Sequence, residues 1–389
     1  MIKNKRDDSL DIIKGLCCIL MVVAHEPFFF TDLRTSLGVI DFVTALVPVP
    51  LFFGIAGVTA TFQLPRYSFR SLVLYFVAMF VIGTSWNVFM HGDITSFKWP
   101  EIFQIIALGS LFVCVVERTG PVPQPILFSI ALGFILIKQV VDAWWPHLSL
   151  WNFLFCDPNY TLTLGRSKIL PGFPVFPWAG YFFLGVWSYR ARKNTKLVLS
   201  LVALGVAALS AWLGSNIAEK WDTTMAYSAA LCVTVFSFFW LFHDPVETRS
   251  WLTEQLRRIG SNAFLFFYSH PLGLLAGGVV YFMTHSAFLG WAVGIAVSVL
   301  TYNLVSRVKP AALFKSGYAW LVLMGIVVVL PFLPSVFSHD KTDMLMRLCA
   351  LLIGAITALN FASLSRVVKK SKTPVAAAQV SGKELVGAP

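Results

Sequence analysis

Apolar runs, most of about 18 residues or more, recur along the whole chain, separated by short clusters of charged and turn-forming residues. As a helix rising about 1.5 Å per residue, such a run is long enough to cross a hydrocarbon layer roughly 30 Å thick. Read by length and by breakers, the pattern predicts spans near 10–30, 37–62, 71–90, 101–116, 125–145, 173–189, 197–215, 224–242, 262–284, 286–305, 318–337 and 344–364. The fold class predicted is all-α, a polytopic membrane bundle of about twelve transmembrane helices. Residues 1–372 form a single domain on this reading. The polar stretch 373–389 is expected to be a disordered tail.

Composition agrees. Hydrophobic residues make up 57% of the chain and charged residues 13%, with a mean hydropathy of +0.74. A soluble protein carries about a quarter charged residues. With the amino terminus placed in the cytoplasm, the predicted loops put 22 of the 30 Lys and Arg on the inside and six outside. That asymmetry is what the positive-inside rule requires, and it places both termini in the cytoplasm. Topology therefore explains the net charge of +11. The basic residues are scattered among loops, with no single patch that would suit nucleic acid. The first apolar segment follows a basic MIKNKR, but it is long and lacks a small-x-small cleavage site after Ala24-His25, so it reads as a retained helix. Five of the six cysteines lie in apolar spans and no CxxC pair occurs, which makes them packing residues rather than metal or redox ligands.

Ionisable residues within such a span are costly and mark candidate sites. In SLDIIKGLCCILMVVAHEPFFF, Ser9 to Phe30, eleven steps separate Lys14 from His25. At 100° per step they come within about 20° of three full turns, so both side chains share a face, roughly 16 Å apart along the axis. Asp11 lies on that side too and can pair with Lys14. His25 is followed by Glu26 and Pro27, and Asp41 is the next carboxylate of note after Asp32. A second intramembrane histidine, His270, falls in the span 262–284 between Ser269 and Pro271. A histidine there can bond a carbonyl that the proline leaves unsatisfied.

A basic residue followed after ten positions by histidine resembles the first helix of the acyltransferase-3 family. It is also similar to the related catalytic domain of heparan-alpha-glucosaminide N-acetyltransferase, whose members often begin LDxxRG where this chain has Leu10-Asp-Ile-Ile-Lys-Gly15. FFGIAGVTATFQLPRYSFR, EIFQIIALGSLF, FPVFPWAGYFFLG and RRIGSNAFLFFYSHP resemble further elements of that superfamily in order, over roughly residues 8–275. The spans 318–337 and 344–364 lie beyond the resemblance, as an accessory pair on a ten-helix core.

The resemblance implies an acyl-CoA-dependent O- or N-acyltransferase. Its donor would be cytosolic acyl-CoA, acetyl-CoA by preference, and its acceptor a hydroxyl or amine of an extracytoplasmic saccharide or glycan. It makes His25, assisted by Lys14, either the general base or a nucleophile that is itself acylated in a ping-pong route, two roles the sequence does not separate, with Glu26, Asp41 and His270 as further catalytic candidates. Lys14, Arg66, Arg70 and Arg190 become the candidates for holding the donor, since cations suit phosphate oxygens. Trp145, Trp151 and Asp157, in and beside the long external loop, and Trp178 of the Pro-Trp helix become the acceptor candidates. An interfacial aromatic belt explains the tryptophans as well. Nothing in the histidine spacing calls for a metal. The expected partners are acyl-CoA, a carbohydrate and the bilayer, with a homo-oligomer compatible. The location expected is the inner membrane of a bacterium.

The competing reading is a secondary transporter or flippase, for which twelve spans with both ends inside is a common plan. It leaves the spacing of Lys14 and His25 unexplained.

Overall fold

The computed structural model describes residues 7–25, 44, 46–92, 101–144, 162–164, 167–169, 172–217, 223–244, 250–333 and 340–368. Its helices are α1 (Asp8–His25), α2 (Pro48–Gln63), α3 (Phe69–His91), α4 (Ile102–Val116), α5 (Gln124–Trp144), α6 (Val175–Arg190) and α7 (Lys193–Trp212). They continue as α8 (Met225–Leu241), α9 (Trp251–Ser261), α10 (Ala263–Thr284), α11 (Ala287–Val305), α12 (Gly317–Val329) and α13 (Asp340–Val368). Each of the twelve predicted spans coincides with one of these helices, in whole or in its described part. Among the described residues six helices are long and apolar enough to cross a membrane: Phe69–Phe89, Gln124–Val141, Lys193–Trp212, Ala263–Thr284, Ala287–Val305 and Met344–Val368. Rows of exposed leucine and valine, such as Leu197, Val198, Leu201 and Leu204 on α7, give the outer helices an apolar exterior.

Among the described residues, a 3-10 turn at Ala312–Lys315 and two further elements were not predicted. One is a short antiparallel hairpin, β1 (Leu162–Leu164) with β2 (Ser167–Ile169), inside the expected long loop. The other is α9, which is amphipathic: Ile259 and Gly260 are buried, while Glu254, Arg257 and Arg258 form a charged row. Ser250 caps it by accepting from the backbone N–H of Thr253. The run is too charged to register as a membrane span, so hydropathy alone passes over it.

The packing centre is α6, which contacts α2, α4, α5 and α8 and is buried around nearly its whole circumference. Apolar helices in lipid gain little from hydrophobicity against one another and associate through close packing, so small residues sit at the crossings. A Cβ on Gly185 would stand 2.2 Å from Cα of Gly54 on α2. The distortion expected from Pro174 and Pro177 falls at Phe176, the one residue of α6 with non-helical dihedrals (φ −100°, ψ 127°).

The same device joins α1 to α9. A Cβ on Gly15 would lie 2.0 Å from the carbonyl oxygen of Leu256, and one on Gly260 would lie 1.8 Å from that of Asp11. Backbone therefore meets backbone, and α10, which continues from α9 after a break at Asn262 (φ −134°, ψ 46°), rises beside α1. Helices α12 and α13 pack on α3, with Trp320, Leu323 and Leu364 against Ala78 and Ile82. Tyr268 of α10 lies over Gly354 of α13 and bonds Ser85 of α3 at 3.1 Å.

Candidate active site

One face of α1 organises the site. Lys14, Cys18 and Met21 line a cavity of about 240 Å³, closed on other sides by Gln63 of α2, Phe103 of α4, Phe267 of α10 and Phe361 of α13. Helical spacing puts His25 next on that face, one turn past Met21. The cavity is polar at its Lys14 end, where Gln63, Ser261 and Asn262 gather, and aromatic toward Met21, Phe103 and Phe267. Lys14 Nζ pairs with the buried Asp11 at 2.7 Å, as its spacing suggested.

Beyond the aromatic end, past Met21 and Phe267 and outside the cavity lining, two histidines meet. His25 Nδ1 stands 3.2 Å from His270 Nε2, with ring centroids 5.3 Å apart and planes tilted by 32°. His270 is completely buried, held between Trp86 (6.1 Å between ring centroids) and Phe267 (5.1 Å). Its Nδ1 bonds the carbonyl oxygen of Phe267, the residue four positions before Pro271. His25 is half-buried. Its ring is turned into the bundle, toward α10.

Electrostatics at the other end are those of a paired surface. Glu254 bonds both Arg257 (2.7 and 2.8 Å) and Arg258 (3.0 Å), and these bonds hold its carboxyl down at about 2. Arg66 and Arg70 are exposed in the connection that follows Gln63 and in the first turn of α3, outside the cavity wall. Arg190 grips the buried Glu117 with both terminal nitrogens, at 2.5 and 2.6 Å, tying the end of α6 to the end of α4. Trp178 is 1% exposed and lies among Phe53, Phe173 and Tyr181, which makes it part of the core packing. Glu26, Asp41, Trp145, Trp151 and Asp157 lie outside the described residues.

The structure thus puts Lys14 in the cavity wall and brings His25 and His270 together beyond its Met21 and Phe267 end, while Arg66, Arg70, Arg190 and Trp178 lie outside the cavity lining. It also adds cavity residues absent from the sequence reading. Asn262 was signalled by the polar Gly-Ser-Asn break before AFLFF; Gln63 lay at the end of an apolar span, as a polar residue facing inward. Phe103 and Phe361 carried no signal beyond being apolar.

The family profile described as "Heparan-alpha-glucosaminide N-acetyltransferase, catalytic" matches residues 6–219. No curated protein and no solved structure matches the chain. The matched span contains α1, with Lys14 and His25, and runs through α7; His270 lies beyond it. With more than half of its 389 residues matched and its long apolar helices, the chain belongs to the heparan-alpha-glucosaminide N-acetyltransferase catalytic family and is an integral membrane acetyltransferase.

Proposed function

We propose that the protein moves an acyl group, acetyl for preference, from cytosolic acyl-CoA to a hydroxyl or amine of a saccharide on the opposite face of the membrane, with His25 as general base. The single observation that carries this reading is that Lys14 lines a cavity on the face of α1 whose wall ends at Met21 and Phe267, one helical turn short of the paired rings of His25 and His270. Coenzyme A carries phosphates that cannot enter the bilayer, but its pantetheine arm is slender enough to thread a channel. Lys14 at the polar end, with the exposed Arg66 and Arg70 outside the cavity wall, supplies cations for the phosphates. The thioester then arrives at an imidazole, the side chain best matched to general-base work near neutral pH.

All twelve apolar helices cross the membrane in this reading, with both termini in the cytoplasm of a bacterium and the bundle in its inner membrane. Trp145, Trp151 and Asp157 receive the acceptor on the outer side. The test uses proteoliposomes given [¹⁴C]acetyl-CoA on one side and glucosamine or glucose on the other, one acceptor with an amine and one with hydroxyls alone. Transfer of label to a sugar supports the proposal. Absence of acetyl-CoA binding by the purified protein would replace it with the carrier reading.

A further inference from the structure

Proline at position 271 has no N–H to return to the carbonyl four residues back, that of Phe267. His270 Nδ1 takes the place of that missing donor. A carbonyl only accepts, so Nδ1 of His270 carries the hydrogen, and in the neutral ring Nε2 carries the lone pair. This Nε2 faces Nδ1 of His25 at 3.2 Å. The hydrogen between the two rings must therefore belong to His25, which in the neutral ring places its own lone pair on Nε2.

We infer that His270 is a positioning residue, and that the His270–Pro271 pair sets the tautomer of His25 so that its Nε2 receives the acceptor's proton. The inference rests on the base role proposed for His25. In the transfer step the acceptor's proton passes to His25 Nε2 while its oxygen or nitrogen bonds the thioester carbon. The C–S bond breaks, and the sulfur leaves with the electron pair and takes that proton from Nε2. Throughout, His270 Nε2 accepts from His25 Nδ1–H, a bond that strengthens while the imidazolium exists. Trp86 and Phe267 hold the His270 ring, and its complete burial keeps water from competing for Nε2.

The test reads the tautomer directly. Protein labelled with [¹⁵N]histidine is placed in nanodiscs, and the two rings are assigned by their loss in His25→Gln and His270→Gln. The wild type is expected to show His25 with its hydrogen on Nδ1, and His270→Leu to shift it toward the Nε2–H form. Pro271→Ala, which returns a competing N–H to Phe267, should give a mixture and serves where the leucine variant fails to fold. A wild-type His25 protonated on Nε2 would overturn the inference. Kinetically, His270→Leu should lower kcat by roughly 10²-fold or more with the acetyl-CoA KM changed less than about threefold. His270→Gln, which keeps an accepting oxygen, should recover about tenfold of that loss; equal losses in both variants would contradict a positioning role. Failure of acetyl-CoA to bind would remove the proposed function and leave the tautomer result standing on its own.

Discussion

Nδ1 of His25 stands 3.2 Å from Nε2 of His270, although 245 residues separate them in sequence. The same separation relates Gly15 to Gly260, which touch where α1 crosses α9. Two parallel segments thus keep one register from their glycine contact to their histidine contact, and the break at Asn262 does not lose it. The first contact sets the height at which the second can form.

Gly260→Ala should therefore damage both stability and chemistry. Its new Cβ would fall 1.8 Å from the carbonyl oxygen of Asp11, and relieving the clash must part the two helices. Overpacking of this kind costs about 1–3 kcal/mol, and thermal unfolding in detergent should show the loss. Transfer should fall by more than the unfolded fraction accounts for, because the imidazoles separate. Unchanged unfolding and unchanged kcat would show that the crossing is not under this constraint.

Lys14→Gln should raise the acetyl-CoA KM more than it lowers kcat, since the side chain lines the polar end of the cavity far from the histidines. Arg66→Ala should do the same more weakly, because the guanidinium is exposed and outside the wall. A loss confined to kcat in either variant would place that residue at the reacting atoms instead.

Glu117→Ala separates two roles for Arg190. Removing the buried carboxylate strands a cation that the pair holds at 2.5 and 2.6 Å, and a fully buried pair broken in this way loses about 3–5 kcal/mol. Arg190 is about a quarter exposed, so roughly 1–3 kcal/mol is expected, read as a fall in Tm, with the acetyl-CoA KM unmoved. A raised KM without destabilisation would instead make Arg190 a donor ligand.

Phe361→Ala should broaden donor choice. This ring brings α13, a helix beyond the matched family region, into the wall of the cavity. Shortening it opens space beside Phe264, whose ring centroid is 4.6 Å away. The kcat/KM of butyryl-CoA relative to acetyl-CoA should rise by about tenfold, within the range that one or two methylenes command in an apolar pocket. No change in the ratio would mean that the acyl group never reaches this wall.

Much of the bundle was legible because each span is a local statement: a long apolar run bounded by charges and breakers. The helix α9 was not, since an amphipathic surface helix with Glu254, Arg257 and Arg258 looks polar to any measure of mean hydropathy. Within the site, the alignment of Lys14 and His25 followed from helical periodicity alone. The partner of His25 did not, because the register between two helices far apart in sequence is set by contacts such as Gly15 on Leu256, which leave no local pattern. Arg190 illustrates the converse. Its position among loop cations suggested a free phosphate ligand, and only the fold reveals Glu117 reaching it from another helix.

The most direct test is acetyl transfer by wild-type protein and His25→Ala side by side in proteoliposomes, with acetyl-CoA binding measured on the same preparations. The account predicts label on the enclosed sugar for the wild type, and none for the variant even though both bind acetyl-CoA. Transfer that survives the loss of this imidazole would contradict it.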